Sequence, residues 1–217
     1  MNWIKRPYSA VYLTIFTMVL ALLCSVFLDH EWLLDFVDEG HFVESLTLIF
    51  YVIAIVFVIF YKLGTIKLSY RFSLVFILFA MMAREADLHK IFGMSMLKIK
   101  FWLTDAADLQ SKFLSALIIL AILYAIFYII LNNYKTWYND LKQKYAYAIS
   151  VLMFFIVLVV SKILDRSFNM INEITGWMAP RWMIAVQQPQ EEYLECILPI
   201  LIMIAVIQYI DKKYQQR

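Results

Sequence analysis

A chain of 217 residues that is 64% hydrophobic, with a mean hydropathy of +0.74, lies well above the roughly 45 to 50% apolar usage of soluble domains. It reads as an integral membrane protein. A net charge of only +2 gives no support for nucleic-acid binding, and four glycines and four prolines leave no linker at which to divide the chain. A single all-α, polytopic domain over 1–217 is therefore expected.

The first apolar run, 11–28, follows Lys5 and Arg6 as a signal peptide would. It is longer than a typical signal core and no small-residue cleavage pattern follows it, so it is expected to stay as a transmembrane helix. About 20 apolar residues cross a hydrocarbon core of about 30 Å. Six segments meet that length: 11–28, 41–61, 72–92, 113–131, 146–166 and 191–210. Between them EWLLDFV, MSMLKIKFWL and WMAPRWMIAV are too short to span and are expected as short interfacial or re-entrant helices on one face.

Basic residues set the orientation. Lys5, Arg6, Lys62, Lys67, Arg71, Lys135, Lys142, Lys144, Lys212, Lys213 and Arg217 fall on one side, where Asp140 and Asp211 are the only acids of the 17 in the chain. By the positive-inside rule that side is cytoplasmic, with the N and C termini both inside and the acidic connections outside. The expected location is a bacterial cytoplasmic (inner) membrane.

The stretch FAMMAREADLHK ends the third segment abruptly with Arg84, Glu85, Asp87, His89 and Lys90. Counting about 20 residues outward along each helix reaches the same depth in four of the six. There lie His41 and Glu44 in the second, residues 84–89 in the third, Lys162, Asp165 and Arg166 in the fifth, and Glu191, Glu192 and Glu195 in the sixth. His41 with Glu44, Glu85 with His89, Glu192 with Glu195, and Lys162 with Arg166 are three or four residues apart, so each pair shares a helix face. Charges facing lipid cost on the order of 2 to 3 kcal/mol each, so the four helices are expected to turn them inward, around a charged cavity open to the periplasm.

Three chemistries fit such a cavity. In the first, His41, Glu44, Glu85, His89 and Glu195 hold a divalent metal (zinc, iron or manganese), as His and carboxylate pairs do on neighbouring helices of a bundle. Glu44, Glu85, His89 and Glu192 are then the catalytic candidates, and Arg84, Lys162 and Arg166, oriented by Asp87 and Asp165, bind the anionic oxygens of a lipid or lipid-linked headgroup. No HExxH and no twin ExxH motif supports that set, and the chain has only three histidines. In the second, the same groups serve proton- or ion-coupled transport. Because the inner halves of the helices carry no charged stepping stones, a homo-oligomer or a partner membrane subunit would have to complete the path. In the third, the protein is a non-enzymatic sensor or scaffold subunit that contacts membrane lipids. Ion pairs that only fix helix register account equally well for any single one of these residues. Cys24 and Cys196, both near outer helix ends, read as small core residues.

Overall fold

The computed structural model describes residues 3–37, 42–62, 66–91, 93–104 and 107–215, and among them there is no strand. The helices are α1 (Ser9–Phe27), α2 (His30–Val37), α3 (Phe42–Phe60), α4 (Leu68–Glu85), α5 (Ile99–Leu103), α6 (Leu109–Lys142), α7 (Ala146–Thr175) and α8 (Arg181–Gln215). A 3-10 turn covers Leu88–Lys90. Five stretches are long and apolar enough to cross a membrane: Ser9–Phe27, His30–Phe60, Leu109–Lys142, Ala146–Thr175 and Arg181–Gln215. The 18-residue α4 is not one of them, because Arg71, Arg84 and Glu85 interrupt its apolar character.

The helix ends differ from those expected. At 34, 30 and 35 residues, α6, α7 and α8 run about 45 to 52 Å at 1.5 Å per residue, well beyond the hydrocarbon thickness. Apolar counting marks where lipid would be, whereas backbone hydrogen bonding continues into the polar turns beyond. The WMAPRWMIAV piece is for the same reason no separate interfacial helix: Pro180 accepts the backbone N–H of Met183, and α8 starts at Arg181 and continues through Pro189 and Pro199. EWLLDFV lies within α2, and within MSMLKIKFWL only Ile99–Leu103 is helical.

The third expected segment, 72–92, is corrected most. Its helix stops at Glu85, and Asp87 takes a left-handed conformation (φ 53°) that starts the 3-10 turn. Aspartate is one of the few residues that visits this region readily, since its short side chain can hydrogen-bond locally. Phe92 lies outside the described residues.

The chain packs as two compact units, 1–50 with 137–217, and 51–136. In the first, α8 is the centre. Its apolar window is 78% buried, and it packs most extensively against α7, then α1, then α2. The face that α1 buries consists of Ser9, Ala10, Thr14, Thr17, Ala21 and Ser25. A stripe of such small residues lets two helix backbones approach closely, which is how helices associate where lipid removes the usual hydrophobic drive. Thr14, Thr17 and Ser25 return their hydroxyl protons to the carbonyls of Ala10, Leu13 and Ala21, so none is left unsatisfied. At the C-terminal end of α1, Leu33, Val37, Val43 and Cys196 form an apolar cluster, with Cys24, Phe36, Leu46 and Tyr193 against it. Both cysteines are free thiols.

In the second unit the buried Arg71 of α4 reaches across to the last turn of α3. Its guanidinium donates to the carbonyls of Val58 (2.8 Å), Ile59 (2.5 Å), Tyr61 (3.2 Å) and Lys62 (3.4 Å). These are carbonyls that a helix end leaves without partners, and a cation also suits the negative end of the helix dipole. Tyr128 of α6 donates to Ser69 of α4 (2.7 Å). Asp108 caps α6 by accepting the backbone N–H of Ser111 (3.3 Å).

Candidate functional site

The charged residues expected around one cavity fall in both units: Glu44, Lys162, Asp165, Arg166, Glu191, Glu192 and Glu195 in the first, Arg84, Glu85, Asp87 and His89 in the second. His41 lies outside the described residues.

In the first unit the charges gather at the end of α7 and α8 remote from the chain termini. The Lys162 ammonium lies 2.5 Å from a Glu195 carboxylate oxygen and 3.4 Å from Asp165. Glu195 is nearly sealed from solvent at 6% side-chain exposure, against 33% for Lys162 and 40% for Asp165. A buried carboxylate without a partner would cost several kcal/mol, and the Lys162 cation that α7 supplies helps α8 carry Glu195 among Leu194, Cys196 and Ile197. Lys162 in turn runs its apolar stem along α7 and keeps its head toward the more polar end, as long basic side chains do near membrane boundaries. On α8, Glu191 and Glu192 are half-buried one turn earlier. One turn past Lys162, Arg166 is exposed and makes no ion pair or hydrogen bond among the described residues. The Gln187 side chain donates to the Leu164 carbonyl, and Arg181 bonds Glu31 at 2.9 Å, so the same end is tied across three helices. Glu44 sits in the first turn of α3.

In the second unit, Arg84 lies 3.5 Å from Glu85, whose side chain is 9% exposed. Beyond the helix end, Asp87 pairs with Lys90 at 2.6 Å and approaches His89 Nδ1 at 3.8 Å. Glu85 and His89 are thus on either side of a chain turn rather than on one helical face, which corrects the spacing argument that paired them. His89 Nδ1 is buried and has no hydrogen-bond partner among the described residues. Its imidazole is held below the usual histidine range, chiefly because burial penalises the cation, with Lys90 and Arg84 adding repulsion and Asp87 opposing. His89 therefore stays neutral near pH 7. Among the described residues no three His, Cys, Asp or Glu side chains converge as a metal site would require.

The opposite end of the first unit carries a polar network that sequence reasoning missed. Gln208 is buried on α8, donates to the carbonyl of Ile4 (2.7 Å) and to Ser9 Oγ (2.9 Å), and accepts the Ser150 hydroxyl (2.7 Å). Lys212 binds Asp140 at 2.5 Å, and the Tyr147 hydroxyl donates to the same carboxylate. Lys5 pairs with Asp211. A signal was available: Asp140 and Asp211 are the two acids on the basic side, and Gln208 interrupts an apolar run of α8. No family model, curated protein or solved structure matches this chain.

Proposed function

We propose that the protein crosses a bacterial cytoplasmic membrane six times with both termini inside, α4 making the sixth crossing beside the five longer and more apolar stretches, and binds the anionic headgroup of a lipid or lipid-linked molecule at the outward end of α7 and α8. The even number of crossings is supported by the Lys5–Asp211 pair and by the bond from Gln208 to the Ile4 carbonyl, which bring the two chain ends together. The inward assignment rests on the basic residues at that end.

The observation that carries the binding role is Arg166. Lys162, Glu195 and Asp165 satisfy one another and hold α7 on α8, whereas the guanidinium one turn further out is exposed and without a partner among the described residues. Arginine matches the oxygens of a phosphate with two parallel N–H donors, and it does so at the depth where headgroups lie. The rigid pair beneath it fixes the helix that presents it. Binding is favoured over metal-assisted catalysis because the described carboxylates and His89 gather into no ligand set.

The test is the lipid retained through purification in mild detergent, quantified by mass spectrometry for the wild type, Arg166→Gln and Lys162→Gln. Anionic lipid enriched on the wild type and lost several-fold from Arg166→Gln is expected. Equal retention by wild type and Arg166→Gln, or no enrichment over neutral lipid in the wild type, overturns the reading.

A further inference from the structure

At the end of the first unit that holds the termini there is a cleft of about 190 Å³ between the start of α1, the turn joining α6 to α7, and the end of α8. Its wall carries Lys5, Lys144 and Lys212 against one acid, Asp211, with Tyr145 and Tyr147 beside them. The carboxylates nearby are occupied. Asp211 receives Lys5 on one oxygen and Gln215 on the other (3.1 Å), and Asp140 receives Lys212 and the Tyr147 hydroxyl. Lys212 is further held 4.1 Å from the centre of the Tyr145 ring. Lys144 has no such partner among the described residues, and Lys5 is half exposed.

The backbone at Lys144 is a second, independent observation. The N–H of Tyr145 bonds the Asp140 carbonyl (3.0 Å) and that of Lys144 bonds the Leu141 carbonyl (3.0 Å). These two bonds close α6 in the Schellman arrangement, whose left-handed position is usually glycine. Here that position is Lys144, at φ 57°. A lysine there carries backbone strain that a glycine would not, and its ammonium offsets none of that strain through any ion pair within the described chain.

We infer that the cleft binds a phosphate group, with Lys144 and Lys5 as the direct donors and Lys212, pinned by Asp140 and Tyr145, adding positive potential behind them. Three ammonium groups face two carboxylates, Asp211 on Lys5 and Asp140 on Lys212, and the remaining positive charge on Lys144 selects an anion over a cation. The cleft is lined by Ala146 at the start of α7 and by Asp211 just past the apolar stretch of α8, which is the level of headgroup phosphates in a bilayer. The phosphate can come from an anionic phospholipid or from a free phosphate in solution. This site is separate from Arg166 and does not depend on it.

The test uses the full chain in detergent, with thermal unfolding followed by tryptophan fluorescence while dihexanoyl phosphatidylglycerol, dihexanoyl phosphatidylcholine or inorganic phosphate is added. For the wild type, the phosphatidylglycerol or the inorganic phosphate should raise Tm, and phosphatidylcholine should raise it less at equal concentration. A response to phosphatidylglycerol alone assigns the lipid as the source, and an equal response to inorganic phosphate assigns the free anion. Lys144→Gly should unfold at a higher temperature without ligand, as strain is relieved, yet need at least tenfold more ligand for the same shift. Arg166→Gln should retain the Lys144-dependent shift. A Lys144→Gly protein that responds as the wild type does, a wild type indifferent to all three additives, or a response abolished by Arg166→Gln and kept in Lys144→Gly each overturns the inference.

Discussion

Replacing Lys162 by methionine removes a cation held 2.5 Å from a buried carboxylate while keeping most of the side-chain volume. At 2.5 Å and an effective dielectric of about 20, the gross Coulomb attraction to Glu195 is about 7 kcal/mol. Desolvation of the two charges offsets much of this, yet once the partner is gone the carboxylate's own penalty remains, and breaking such a pair costs about 3 to 5 kcal/mol. Lys162 is a third exposed, so water reaches the gap and the lower end, about 3 kcal/mol, applies. For a chain of this size each kcal/mol moves Tm by about 2 to 4 °C, giving a fall of about 6 to 12 °C in detergent. The paired change Lys162→Met with Glu195→Leu removes the uncompensated charge and should recover to within about 1 kcal/mol of the wild type, because a well-packed apolar pair replaces a buried ion pair at little cost. Asp165 stays in water and needs no replacement. Thermal unfolding of the wild type, both single variants and the double variant measures this directly. A Lys162→Met protein within about 2 °C of the wild type, or a double variant no more stable than Lys162→Met alone, would refute the claim that Lys162 compensates a buried Glu195.

Three further outcomes follow from the packing and the turn chemistry. Ala21→Leu inserts bulk into the small-residue face of α1 against α8 and should destabilise by about 1 to 3 kcal/mol, whereas the exposed Leu22→Ala changes little, both read by thermal unfolding. Gln208→Leu leaves the Ser9 and Ser150 hydroxyls and the Ile4 carbonyl without their shared partner and should cost about 1 to 3 kcal/mol, with faster proteolysis at the N-terminus. His89 titrates below the ordinary histidine value in the folded chain, so the unfolded chain binds more protons across that window. Stability at the 86–91 turn should therefore be full above about pH 6.5 and fall as pH drops through it, by hydrogen exchange, and His89→Leu should flatten that dependence.

Much of the helical architecture is legible in the sequence because it follows from one quantity, apolar length. The runs at 113–131, 146–166 and 191–210 each lie within a helix, and 11–28 overruns α1 by one residue, the extended Leu28. What length cannot convey is where backbone hydrogen bonding ends. Residues 132–142 look like a solvated basic connection, yet they continue α6 as far as Lys142, and the chain turns only at the left-handed Lys144. The turn at Asp87 was hidden for the opposite reason: Glu85 and His89 sit four residues apart, a helical interval, but a left-handed aspartate between them breaks the helix. Depth counting puts Lys162 and Glu195 at similar levels on neighbouring helices, and those two side chains meet. The Gln208 network escaped notice because glutamine and serine carry no charge to count, and their partners are backbone carbonyls that every residue has.

The two polar ends of the first unit bear on whether it relays protons. Glu195 and Gln208 are thirteen residues apart on α8, about 20 Å along the axis. Over that interval α8 presents Ile197, Leu198, Leu201, Ile202, Ile204, Ala205 and Val206 to the interior, all buried, and α7 between Ser150 and Ser161 is apolar throughout. The hydroxyls of α1 that cross the same depth are Thr14, Thr17 and Ser25, and each already donates to a carbonyl in the preceding turn. A relay needs donors and acceptors within about 3 Å of one another, and these buried apolar side chains supply none. Among the described residues of this unit, no chain of side-chain donors and acceptors joins the two ends. That separation accords with the two proposed anion sites acting independently, with α8 as the element that both share.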